Sequence, residues 1–208
     1  LMDGKGDIGV RFPASPTWLE AEAGPHGLKW VDMNAKEDPE GAARFMEVNP
    51  SVRFGVMDIG CESAQGIWMT RTIPRYATTA DVDTDLIYNL VKWLDENHDL
   101  YKDAHPYCAY MTLDTLVKLS ETDYVPLHDG AVKYLEEKGL WTADHESRRQ
   151  QNIDLITKWI EAYEGAIDQA DQQKITVNPQ NEEWTKFWDD YKKAQNLPHF
   201  KFFTDLDG

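Results

Sequence analysis

Ile153, Ile156, Trp159, Ile160, Tyr163 and Ile167 recur three and four residues apart within a stretch predicted as one long helix, about His145 to Gln169. A stripe this apolar has to be covered, either by the rest of the chain or by a partner. After the turn Asn178-Pro179-Gln180-Asn181, a final helix over Glu182–Ala194 presents Trp184, Phe187, Trp188 and Tyr191 in the same manner. The two helices are expected to lie as an antiparallel pair on the body of the protein, with an oligomer contact as the alternative.

A second strong period lies between Asp81 and Asn97, where Leu86, Ile87, Leu90, Val91 and Leu94 draw a single stripe. Asp83 or Thr84 can cap that helix, and Asp81 and Asp85 suit the positive end of its dipole. Shorter helices are expected over Pro39–Val48 and from about Leu113 to Leu119, the latter capped by Thr112. Strand-like runs are Asp7–Phe12, Leu28–Met33 and Gly66–Ile73, the last stopped by Pro74. Ser51–Gly60 reads as looser. Strands interleaved with amphipathic helices indicate an α/β chain rather than a helical bundle.

The run Val125-Pro126-Leu127-His128-Asp129-Gly130-Ala131-Val132-Lys133-Tyr134-Leu135 is the clearest local landmark. Pro126 stops what precedes it, Asp129 can cap the next turn, and Gly139 fits a left-handed C-terminal position. The expected buried face is Ala131, Tyr134, Leu135 and the aliphatic stem of Lys138.

With 208 residues the chain can bury one good core or two small ones. Asp and Glu number 37 against 21 Lys and Arg, a formal charge of −16, which repels phosphate backbones and anionic membranes. Nucleic acid is therefore not an expected partner, whereas a locally positive cleft for a small anion is compatible with an acidic body. Cys61 and Cys108 either bridge or stay separate buried thiols.

Ser15, with Pro16 at the first helical position, starts a helix that stops near Gly24-Pro25. A helix start directly after a strand leaves amides where open α/β sheets hold anions, and Ser15 and Thr17 add hydroxyls. The alternative is that both residues only cap a structural helix. Arg11 either clamps a carboxylate or makes a solvated pair. Trp68 is a core aromatic or a ligand platform. His128 is a structural hydrogen-bonding residue or a ligand contact, with no serine, cysteine or carboxylate beside it in sequence as a catalytic partner. Dinucleotide, P-loop, zinc-helix and Cys-x-x-Cys motifs do not occur, so no cofactor or metal is expected.

Pro126–Tyr134, continued by Glu137-Lys138-Gly139-Leu140-Trp141, resembles the TAXI family of TRAP transporter solute receptors, which are extracytoplasmic substrate-binding proteins. Leu1–Asp7 is similar to the helix end before a late strand of that family. Asp81–Tyr88 resembles the helix after its central strand, and His105-Pro106 the loop beyond. The resemblance spans residues 1–141 and continues weakly into the first tail helix. It implies a partial type II periplasmic-binding-protein fold with additional C-terminal helices. Residues 1–141 would be the latter part of two lobes with a hinge crossing, and 142–208 a helical extension packed on the body.

It further implies a missing N-terminal half of the receptor, weak or no binding by the fragment alone, a periplasmic or extracytoplasmic location and delivery to TRAP transporter membrane subunits. The implied ligand is a small organic acid or an amino acid such as glutamate, bound without chemistry. Its expected contacts are Arg11, Phe12, Ser15, Thr17, Trp68 and His128. Two departures set this chain apart: bulky, charged Trp68-Met69-Thr70-Arg71 and a tail continuing beyond Ala170. The rival readings are an α/β hydrolase or transferase using His128, and an interaction module using the aromatic tail helices.

Overall fold

Two helices capped by their own side chains form the centre of the fold. Thr84–Glu96 (α3) begins where the Asp83 carboxylate accepts the Leu86 amide at 2.9 Å. Asp129–Glu137 (α6) begins at His128, whose Nδ1 accepts the Gly130 amide at 3.1 Å. The cap is thus His128 and not the expected Asp129, which is the first helical residue. His128 has the extended backbone a cap requires, so its ring nitrogen takes the role.

α3 and α6 pack tightly because Gly130 carries no side chain at the crossing. Tyr134 and Leu135 are fully buried beside it, each contributing about 1.5–3 kcal/mol of burial. Tyr134 meets Tyr88 edge-on at 5.6 Å and donates to Asp95 at 2.8 Å. Lys138 is exposed rather than buried: its ammonium sits 5.1 Å above the Tyr134 ring and 3.5 Å from Asp95. The stripe of α3 is only half covered, with Ile87, Val91 and Leu94 half-buried while Leu86 (60 %), Leu90 (44 %) and Trp93 (52 %) stay exposed.

In this computed structural model the described residues are 8–10, 12–49, 52–72 and 75–197. Their remaining elements are α1 (Pro16–Ala23), α2 (Pro39–Val48), β1 (Arg53–Val56), β2 (Trp68–Arg71), α4 (His98–Tyr101), α5 (Leu113–Thr122), α7 (Ala143–Gln173) and α8 (Glu182–Ala194). Single 3-10 turns lie at Glu62–Ala64 and Pro106–Tyr110. The described chain is helix-rich with one antiparallel ribbon, and no parallel strand pair forms within it.

Strand expectations from the sequence fare unevenly. Gly66–Ile73 contracts to β2, with Ile73 and Pro74 outside the described residues. Its partner β1 arises from the stretch read as loose. Ile8 (87 % exposed), Val10 (91 %) and Phe12 are not in a strand, and Asp7 and Arg11 lie outside the described residues. Leu28–Met33 forms no ladder; Met33 alone donates to the Trp68 carbonyl, at 2.8 Å. An alternating pattern becomes a strand only where a neighbour accepts its backbone bonds.

One face of the ribbon packs Phe54 and Trp68 with Ala35 and Ala42; Met69 on the other joins Trp18, Met57, Cys61 and Ala64. Cys61 is buried, donates from Sγ to the Pro13 carbonyl at 3.1 Å, and like Cys108 is a free thiol. Burial, followed by the nearby Glu22 charge, pushes the Cys61 thiol up.

α7 starts at a capping box in which Thr142 and His145 satisfy each other's backbone. Its first half touches the body through Arg149, which donates to the Leu127 carbonyl at 2.7 Å, and Asn152, which donates to the Asp123 carbonyl at 3.0 Å. Its second half pairs with α8. Ala166, Ala170, Ile175 and Trp184 form a separate small core, and Tyr163 contacts Trp184 and Trp188 at 6.0 and 5.3 Å.

Candidate functional site

Register places two cations face to face. In the β1–β2 ribbon Arg53 lies directly opposite Arg71, and Gly55 opposite Met69. Opposed residues share a face, so Arg53, Gly55, Met69 and Arg71 point to one side, and Phe54, Thr70, Val56 and Trp68 to the other. Gly55 leaves room for Arg71 to lie across the ribbon: a Cβ there would stand 2.8 Å from Arg71 Cδ. From that position the guanidinium donates to the Val56 carbonyl at 3.3 Å and to Asp58 at 3.4 Å.

Arg53 is held below the ordinary guanidinium value, first by burial and then by repulsion from Arg71, with Asp123 opposing both. Asp123 is buried (7 % exposed) and takes Arg75 at 2.6 Å. Its other oxygen accepts the Tyr124 and Val125 amides at 2.7 and 3.3 Å. Arg75 also lies 5.7 Å over the Tyr124 ring. Arg75 and Asp123 therefore brace the chain after β2 against the segment that enters α6.

The aromatic pair Phe12 and Tyr107 lies within electrostatic range of Arg71. Burial raises the Tyr107 phenol and the charge of Arg71 pulls it back, so the two side chains are electrostatic neighbours. Phe12 meets Tyr107 edge-on at 6.3 Å. The Phe12 carbonyl accepts the Ser15 amide at 2.9 Å, which sets the start of α1. Ser15 occupies the cap position, but its hydroxyl makes no capping bond and is buried without a partner among the described residues. Pro16 has no amide to offer, the Trp18 amide returns to the Ser15 carbonyl at 3.0 Å, and Thr17 is exposed.

The expected ligand contacts thus fall in three places. Phe12, Ser15 and Thr17 cluster at the entrance of α1, and Arg11 lies outside the described residues. Trp68 is on the opposite face of the ribbon from Arg53 and Arg71, half-buried, with Lys36 Nζ 5.4 Å from its ring. His128 is at the start of α6, where Nδ1 serves the cap and Nε2 is buried without a partner among the described residues. No described hydrogen bond or ring contact joins His128 to α1 or the ribbon.

Sequence reasoning passed over Arg53, Arg71, Arg75 and Tyr107. The available signal was composition: three of the seven arginines of an acidic chain fall between residues 53 and 75. Two surface recesses elsewhere are acidic. One of about 450 Å³ is lined by Glu22 and Glu62, and one of about 230 Å³ by Asp95, Glu96 and Asp99. Both repel anions. No group of three or more His, Cys, Asp or Glu side chains among the described residues is arranged to hold a metal.

Residues 43–139 match the NMT1-like family. That family is related to periplasmic binding proteins, TRAP- and TAXI-type receptors among them. The NMT1-like region is just under half of the chain and carries Arg53, Arg71, Arg75, Tyr107 and the α3–α6 pair. Phe12 and Ser15 precede it, and α7 and α8 follow it. No curated protein sequence and no solved structure matches the chain.

Proposed function

We propose that the protein is a noncatalytic solute-binding receptor of the TAXI type. It captures a small organic anion or amino acid outside the cytoplasm and delivers it to TRAP transporter membrane subunits. The match of residues 43–139 to the NMT1-like family carries this reading. Three of the seven arginines of a chain of charge −16 lie between residues 53 and 75, within the matched region, which is compatible with an anionic solute. No helix among the described residues is long and apolar enough to cross a membrane.

In this reading residues 1–141 belong to a type II two-lobed fold, completed by a further N-terminal half, and 142–208 form a helical extension on it. The uncovered Leu86, Leu90 and Trp93 stripe of α3 is the kind of surface that another lobe covers. Closure of the lobes on solute shifts the population toward the form that the membrane subunits recognise.

A hydrolase or transferase centred on His128 is disfavoured, because Nδ1 already accepts the Gly130 amide and no nucleophile hydrogen-bonds to the ring among the described residues. An interaction module built on the tail helices is less favoured because Trp184 is buried against α7, although Ile160 and Tyr163 of the same stripe stay exposed. A thermal-shift screen of organic acids and amino acids, followed by calorimetry of those that stabilise, tests the receptor reading. Carried out on the complete two-lobed protein, binding of at least one such solute with no product formed supports it, and no binding across the panel overturns it.

A further inference from the structure

The start of α7 buries none of its residues, yet it holds on to the NMT1-like region. We propose that residues 143–152 form a releasable strap over the segment that joins α5 to α6, with Arg149 as its pivot.

Helix α7 begins beyond the matched residues 43–139, but the groups it reaches, Glu121, Asp123, Leu127 and Asp129, lie within them. Residues 123–128 have no regular secondary structure, so their carbonyls need partners from elsewhere. Arg149 supplies one: its Nε donates to the Leu127 carbonyl at 2.7 Å, and its other nitrogens take the Asp129 and Glu146 carboxylates, the latter at 3.1 Å. Its side chain is 13 % exposed, and Glu146 is fixed in turn by the Trp141 indole at 3.0 Å. Asn152 supplies the second, donating to the Asp123 carbonyl at 3.0 Å. His145 accepts the Thr142 amide at Nδ1, which leaves Nε2 to donate to Glu121 at 3.2 Å.

Contacts of this kind open without a core opening. The buried residues of α7 are Ala166 and Ala170, in the separate core shared with α8, while Tyr134 and Leu135 are buried further along α6. Hydrogen bonds and part-exposed ion pairs exchange for bonds to water at small net loss, whereas exposing either core does not. Release therefore leaves the α3–α6 crossing and the α7–α8 pair folded, and frees the α5–α6 connection with the first turn of α6. Asp123 keeps Arg75 on release, because that brace comes from the chain after β2. The strap gives the tail a hold on where α6 begins, independently of any solute.

Amide exchange of the full chain, read segment by segment, tests the strap. Arg149→Gln is expected to speed exchange over residues 124–132 by about tenfold or more, while α3 and α8 keep wild-type rates. Arg149→Lys keeps the charge but loses the fork, and is expected to fall between. Arg148→Gln removes the neighbouring charge, whose Nε has no partner among the described residues, and is expected to change nothing. Asn152→Ala removes a single strap bond and gives the same local rise, smaller in size, should Arg149→Gln not fold. Unchanged exchange over 124–132 in Arg149→Gln and Asn152→Ala, or an equal rise in α3 and α8, overturns the strap. A rise in Arg148→Gln as large as in Arg149→Gln overturns Arg149 as its pivot.

Discussion

Gly130 at the start of α6 abuts the backbone of Tyr88 in α3, so that a Cβ at position 130 would stand 2.6 Å from the Tyr88 amide nitrogen. No rotamer relieves a clash with main chain. Gly139, at the other end of α6, has φ of +69°, and a Cβ there would meet only open space. One glycine is required by space and the other by backbone conformation.

Gly130→Ala is therefore expected to force α3 and α6 apart and cost about 3 kcal/mol. Gly139→Ala is expected to cost about 1 kcal/mol through left-handed strain alone. Urea unfolding of both variants checks the order. Equal losses would mean that the helix crossing is not sterically limited at Gly130.

Trp184 is 4 % exposed and stacks on Trp188 at 6.2 Å with planes 7° apart. Its core is separate from that of α3 and α6, so Trp184→Ala is expected to remove about 3–5 kcal/mol locally. Amide exchange should rise in α8 and the second half of α7 while α3 and α6 keep their protection. Uniform loss of protection across the chain would contradict two independent cores.

Asp123 holds Arg75 and two backbone amides at once. Asp123→Asn keeps the shape but loses the charge-assisted bonds, with an expected cost of about 2 kcal/mol in denaturant unfolding. A change below a few tenths would show that the brace between β2 and the entry of α6 carries no stability.

Tyr88, Tyr101, Tyr107 and Tyr134 are all held above the ordinary phenol value. For Tyr88 the leading cause is its hydrogen bond to Glu137; for the other three it is burial. The folded chain keeps these protons after an unfolded chain has lost them. The associated stability is intact below about pH 10 and declines as pH rises through the folded-state values. Ultraviolet phenolate titration is expected to show a late-titrating group among the nine tyrosines, merging with the rest in urea. A single transition without urea would contradict these environments.

Much of the helical content was legible in the sequence because its signals are local. Pro39 after Asp38, and Asn181 before an acidic first turn, fix α2 and α8 at their expected bounds. α7 starts two residues earlier than expected because Thr142 and His145 cap each other, an exchange that spacing alone underreports. Strands depend on distant partners, which explains both the missed β1 and the unformed ladder at Leu28–Met33. The candidate site inherits the same difficulty. Phe12 and Ser15 could be singled out from a local turn, but Arg53 and Arg71 meet only through the register of a ribbon. Tyr107 comes within electrostatic range of Arg71 from a 3-10 turn thirty-odd residues further along the chain.

Capture of a solute without chemistry is what the receptor reading stands on. Calorimetry of the protein with the best-stabilising organic acid, followed by mass analysis of the recovered compound, probes it without intermediate assumptions. Saturable binding and recovery of the acid unchanged after prolonged incubation are expected. Conversion of the bound acid into a product would contradict a receptor.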